Sequence, residues 1–147
     1  MKPELDAFVL FEVVDTAPSE TVEINGIKYQ KSLKNTGKIN KNFDDYLEIL
    51  EFFKQSDDID YMIRFQSNFN KQKYIYPIVR QIIHNKELIA PILDPKYHNL
   101  RIRVACPCCG LADKNSKLTK FDGDKIYSYC PEHGEFLTDI KTDSDRL

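Results

Sequence analysis

Cys106, Cys109, Cys130 and His133, spaced C-x2-C-x20-C-x2-H, constrain this chain more than any other feature. They fall in two matching pieces, Cys-Pro-Cys-Cys-Gly at 106–110 and Cys-Pro-Glu-His-Gly at 130–134. Each piece holds a first ligand, a proline, a second ligand two residues on, and a glycine directly after it. That is the form of a metal knuckle. The turn aims two donors at one point, and Gly110 and Gly134 permit the positive φ that such a tight turn demands. Two knuckles joined by a hairpin-length insert present three thiolates and an imidazole, a donor set suited to tetrahedral Zn2+. Four protein ligands close the coordination shell, so the expected zinc is structural and contributes to folding, with no position kept for a reacting water. Cys108 could take the place of Cys109, but C-x-C spacing would distort the knuckle. The twin motif favours Cys109 and leaves Cys108 as a free thiol at the tip, with no base beside it to activate it.

At 147 residues, the chain is long enough for one medium domain, or a smaller one with a ribbon appended. The expected division is an α/β region over 1–98, with an N-terminal strand and hairpin, and a zinc ribbon over 99–147. The fold class expected is mixed α+β, ending in short antiparallel strands. No apolar run is long enough to span a membrane. The start, Met-Lys-Pro-Glu-Leu-Asp, carries acids where a signal peptide needs an apolar stretch. With thiolate ligands as well, a reducing, cytoplasmic setting is expected.

Net charge is −2, but its distribution is uneven. Residues 1–60 carry 7 basic and 13 acidic side chains, residues 61–105 carry 8 and 2, and residues 106–147 carry 6 and 8. The cationic middle, with Arg64, Lys71, Lys73, Arg80, Lys96, Arg101 and Arg103 among several aromatics, could follow a nucleic-acid backbone and stack bases. The competing reading has the acidic first third neutralise these cations inside the fold. A second lysine-rich stretch, 28–41, contains Asn35-Thr36-Gly37-Lys38, which reads as a solvated loop because one glycine does not make a phosphate loop.

Local patterns place the elements. Residues 7–14 are almost wholly apolar and predict a strand covered on both faces. Asn25-Gly26 predicts a two-residue hairpin pairing Ile24 with Ile27, Val22 with Tyr29 and Glu23 with Lys28. Asn42 with Asp45 resembles a capping box, and Phe43, Tyr46, Leu47, Leu50 and Phe53 form one stripe of a helix over 43–54. A strand over 59–65, a loop over 66–70, and a helix from Pro77 to Pro91 follow. Arg101–Ala105 should lead as a strand into the first knuckle. A hairpin around Asp122-Gly123-Asp124 delivers Cys130, and Phe136–Ile140 closes the ribbon.

This order of elements from Phe43 to Ile140 resembles the stretch leading through the zinc-containing insertion of class I lysyl-tRNA synthetases. The matching residues are Asp60–Phe65 as strand, Ser67–Tyr74 as loop, the helix end Asn85–Leu93, and the two knuckles. The resemblance implies association with transfer RNA or other structured RNA, and with the remainder of a synthetase or another protein. It carries over no catalytic residue. Asn35-Thr36-Gly37-Lys38 lacks both histidines of the family's first signature, and Lys31-Ser32-Leu33-Lys34 lies on the wrong side of the ribbon to be the second. The expected function is therefore an RNA-associated zinc module that does not charge transfer RNA alone. A free-standing nucleic-acid-binding ribbon and a protein-interaction module are the alternatives.

Overall fold

The computed structural model describes residues 7–147, apart from the side chains of residues 40–42. The chain is mixed α+β, and its strands form one parallel pair and two three-stranded antiparallel sheets. Strand β1 (Phe8–Val13) pairs in parallel with β4 (Asp60–Phe65), with Leu10 opposite Met62. Between them in sequence come the hairpin β2 (Pro18–Ile24) and β3 (Ile27–Ser32), the single turn α1 (Leu33–Thr36), and the long helix α2 (Asn40–Asp57). The hairpin has the register its Asn25-Gly26 turn predicts, with Ile24 opposite Ile27, Val22 opposite Tyr29 and Glu23 opposite Lys28.

The α2 stripe, Phe53 excepted, lies on one face of the parallel pair. Tyr46 meets Phe11 and Phe43 meets Phe65, with ring centroids 5.3 and 5.7 Å apart, and Leu50 is buried. The other face, with Phe8, Leu10 and Met62, is exposed. The expectation that β1 is covered on both sides is thus corrected, because among the described residues only one layer of helix covers it. Helix α2 begins at Asn40, ahead of the expected cap at Asn42, whose side chain lies outside the described residues.

After β4 the expected loop is instead a short helix, α3 (Gln66–Asn70). Its first turn is held from afar. The Asp15 carboxylate accepts from the backbone N–H of Ser67 at 2.8 Å and from its hydroxyl, an N-cap role that no neighbour in sequence could reveal. The helix expected from Pro77 to Pro91 is two helices, α4 (Ile75–His84) and α5 (Lys86–Leu93), which meet at Asn85. Asn85 leaves helical backbone (φ −96°, ψ 23°), and its side-chain amide donates to the Gln81 carbonyl at 2.9 Å. Pro91 sits in the last turn of α5 and does not end it.

Arg101–Ala105 is not a strand. No ladder partner lies alongside among the described residues; the Ile102 N–H goes back to Leu100 and the Ala105 N–H crosses to Arg146 at 2.9 Å. Sheet pairing resumes at β5 (Ala112–Asp113), which joins β3 through Tyr29 and Gln30. Strands β6 (Lys120–Asp122), β7 (Lys125–Cys130) and β8 (Gly134–Asp139) form the ribbon sheet. Helices α4 and α5 cover its inner face through Ile83 and Ala90, which pack with Leu100, Val104, Ile126 and Ile140. A 3-10 turn at Ser144–Arg146 follows.

Candidate metal centre

The backbone sets the four donors in place. In the first knuckle the Gly110 N–H donates to the Cys106 carbonyl at 2.9 Å, and the Cys106 N–H donates to Leu111 at 2.8 Å. This closes the loop and points Cys106 and Cys109 the same way. Gly110 has φ +76°, and a Cβ there would stand 2.6 Å from the Asn35 side chain, so both the angle and the space require glycine. In the second, Cys130 ends β7 and pairs with Gly134 (φ +77°) at the start of β8, leaving His133 in the turn between.

The donor atoms of Cys106, Cys109, Cys130 and His133 all lie within 4.8 Å of one another. Cys109 Sγ is 3.5 Å from Cys130 Sγ. His133 Nδ1 is 3.7 Å from Cys106 Sγ and 3.6 Å from Cys130 Sγ. Metal–sulfur bonds of about 2.3 Å and metal–nitrogen bonds of about 2.0–2.1 Å, set tetrahedrally, give edges of roughly 3.5–3.8 Å. The three separations given match those edges, and the four side chains could hold such an ion. Cys108 is exposed at the knuckle tip and outside this group.

The surroundings favour thiolate at one position and oppose it at another. Burial would raise the Cys106 thiol, but backbone N–H groups of Cys109 and Cys108 and the neighbouring thiols hold it below the ordinary value. Burial, then the Cys130 and Cys106 thiols, pushes Cys109 up to about 12. Three crowded thiols do not ionise together unless a cation binds them. Tyr29, Leu111, Ile24, Ile27 and Phe136 enclose the sulfurs, so the cluster doubles as the centre of a small apolar core.

The seven cationic residues of the sequence reading have different partners. Arg64 pairs with Glu12 at 2.5 Å and lies over the Phe69 ring; Lys71 pairs with Asp145, and Arg80 with Asp124 at 3.0 Å. Lys96 lies over Tyr97, and Lys73 is exposed with no ion pair among the described residues. Arg101 is gripped by Asp94 at 2.7 Å, while Arg103 donates to Gln30 Oε1 at 2.9 Å. The countercharge comes from one acid of the first third, one of the middle and two of the last. Only Arg101 and Arg103 line a common cleft, and they share it with Lys34 and Arg146. Sequence reasoning missed those two because residues 34, 103 and 146 meet only in the folded chain; the lysine-rich stretch at 28–41 was the sole hint. No helix among the described residues is long and apolar enough to cross a membrane.

Comparison of the chain with protein-family models, with curated proteins and with solved structures finds no match.

Proposed function

We propose that this chain is a zinc-stapled recognition module, not a catalyst, in which Cys106, Cys109, Cys130 and His133 hold one Zn2+. The observation that carries the reading is the donor cluster: three sulfurs and one imidazole nitrogen within 4.8 Å of one another, three of the separations at tetrahedral edge lengths, supplied entirely by protein. Zinc is the fitting ion because thiolates exclude the hard cations and the geometry is tetrahedral. A shell completed by four side chains has no place for substrate, and its contribution is folding energy. Cytoplasmic residence follows from the need to keep these thiols reduced.

Elemental analysis with alkylation tests this. One zinc per chain is expected, with Cys108 alone readily modified until a chelator is added; zero or two zincs, or four equally reactive thiols, would refute it.

Structured RNA is the partner we propose, in keeping with the resemblance of the sequence to the lysyl-tRNA synthetase insertion, with Arg101 and Arg103 as the contacts in a common setting. A protein partner is the second reading, and one observation favours it. Phe8, Leu10 and Met62 form an uncovered apolar face on a parallel pair, where parallel strands are normally covered on both sides. The salt dependence of RNA binding separates the two. Each phosphate contact adds about 0.7–0.9 to the log–log slope, so Arg101→Ala with Arg103→Ala flattens it by roughly two contacts. Indifference to those arginines, or no binding at low salt, favours the protein partner.

A further inference from the structure

Three layers of the molecule meet around one polar cleft of about 330 Å3. The hairpin and α1 contribute Gln30 and Lys34, the segment before the first knuckle contributes Arg101 and Arg103, and the final turn contributes Asp145 and Arg146. Four cations stand among these side chains, with the Asp145 carboxylate beside them and Asp94 and Asp143 paired to two of the cations. Three of the cations are satisfied. Lys34 Nζ donates to the Asp145 backbone oxygen at 2.6 Å and pairs with its carboxylate at 3.2 Å; Arg101 pairs with Asp94 and Arg146 with Asp143.

Arg103 is different. It is half-buried, its one hydrogen-bond partner is the neutral carbonyl of Gln30, and no ion pair among the described residues includes it. Gln30 is itself 8% exposed, and its amide nitrogen donates to the Thr21 hydroxyl at 3.1 Å, which turns the carbonyl toward the guanidinium. A guanidinium has five N–H donors in a planar fork. One is used here. A half-buried cation without a counter-ion is costly to hold, and a buried amide that orients it has no other evident task.

From this we infer that the cleft binds a phosphoryl group, with Arg103 as the bidentate anchor and Lys34, Arg101 and Arg146 supplying the surrounding field. The fork matches two oxygens of a tetrahedral anion, and Arg103 is the one cation of the lining not already paired with a carboxylate among the described residues. Asn35 and Gln66 line the same cleft. The volume is at the small end of the range for small-molecule sites, about 300–1,000 Å3, so the ligand is a phosphorylated small molecule or the terminal phosphate of an RNA. The inference extends the recognition-module reading and needs from it only the knuckle that fixes the segment carrying Arg103.

The test is calorimetric and thermal titration of the full, zinc-loaded chain with inorganic phosphate, and with one short RNA bearing either a 5′-phosphate or a 5′-hydroxyl. Zinc content is measured on each sample, so loss of the staple is not mistaken for loss of the anion site. Saturable binding of inorganic phosphate is expected, with a rise in melting temperature. Arg103→Gln should weaken it at least tenfold and abolish that rise while zinc content stays at that of the parent. Lys120→Ala removes the same charge outside the cleft and should change nothing. A tenfold preference for the 5′-phosphate RNA assigns the source as an RNA end, and equal binding of the two RNAs alongside phosphate binding assigns a small molecule. No saturation by millimolar phosphate or by the 5′-phosphate RNA, or an Arg103→Gln variant that binds as the parent does, overturns the proposal.

Discussion

The ribbon and the N-terminal layer are both rich in apolar residues, yet they use them in opposite ways. In the ribbon, β7 alternates strictly, and Ile126, Cys130, Thr138 and Ile140 have no measurable exposure. In the N-terminal layer, α2 buries Leu50 alone among its described residues, while Ile49, Phe52 and Phe53 stay open to solvent. The ribbon is too small to enclose a core by itself, and its four donors stand where a core would otherwise be. An ion held there would replace many apolar contacts with four short bonds. The N-terminal layer has no such device, and its exposed face depends on what covers it. Stability in this chain should therefore concentrate at the ribbon.

The largest expected break in that contrast is Cys130→Ser. Structural zinc contributes on the order of 10 kcal/mol in small modules, so the variant should lose the metal and the β7–β8 pairing. The amide signals of β1, β4 and α2 should move far less, because their contacts do not pass through the knuckles; amide exchange read by NMR checks both halves at once.

Next is Ile126→Ala against Phe52→Ala. Truncating the fully enclosed isoleucine should cost about 2–5 kcal/mol in denaturant unfolding. The exposed phenylalanine should cost within roughly 0.5 kcal/mol of nothing. Equal losses would show that the two regions are not energetically distinct.

Gly110→Ala should cost more than Gly123→Ala. Both have positive φ, which penalises a side chain by about 1–2 kcal/mol, but only at Gly110 would the new methyl strike another residue, Asn35. The difference between the variants measures how tightly the first knuckle is wedged against α1.

A smaller effect lies at Asp145. Burial opposes its ionisation, and the Lys34 ammonium, with Lys71 behind it, overrides this and holds the carboxyl below the ordinary carboxylate range. The folded value is depressed, so the contribution is fully present above the unfolded value and is lost as pH falls through the folded one. Asp145→Asn should remove under about 1 kcal/mol at neutral pH and erase that part of the acid sensitivity. Cys108→Ser, at the exposed tip, should change neither metal content nor stability measurably.

What could be read from the sequence was local. The doubled Cys-Pro motif placed the four donors, Asn25-Gly26 set the hairpin register, and the 43–53 stripe found the face of α2 that meets Phe11 and Phe65. What could not be read depends on residues far apart. Asp15 caps α3 from 52 residues away, turning an expected loop into a helix. The break at Asn85 rests on a side-chain bond to the preceding turn, which competes with a continuous apolar stripe. The irregular path of 101–105 comes from a tie to Arg146 that replaces a strand partner. Charge counts carry no geometry, so the pairing of Arg64 with Glu12, Arg80 with Asp124 and Arg101 with Asp94 could not be read from them.

X-ray absorption at the zinc edge of the purified chain tests the central claim most directly, because it reads the ligands of the ion itself. Three sulfurs at about 2.3 Å and one nitrogen at about 2.0–2.1 Å, unchanged in Cys108→Ser, are the predicted result. A shell of four sulfurs, a light-atom shell containing water, or a spectrum altered by loss of Cys108 would contradict the assignment of Cys106, Cys109, Cys130 and His133 as a closed structural site.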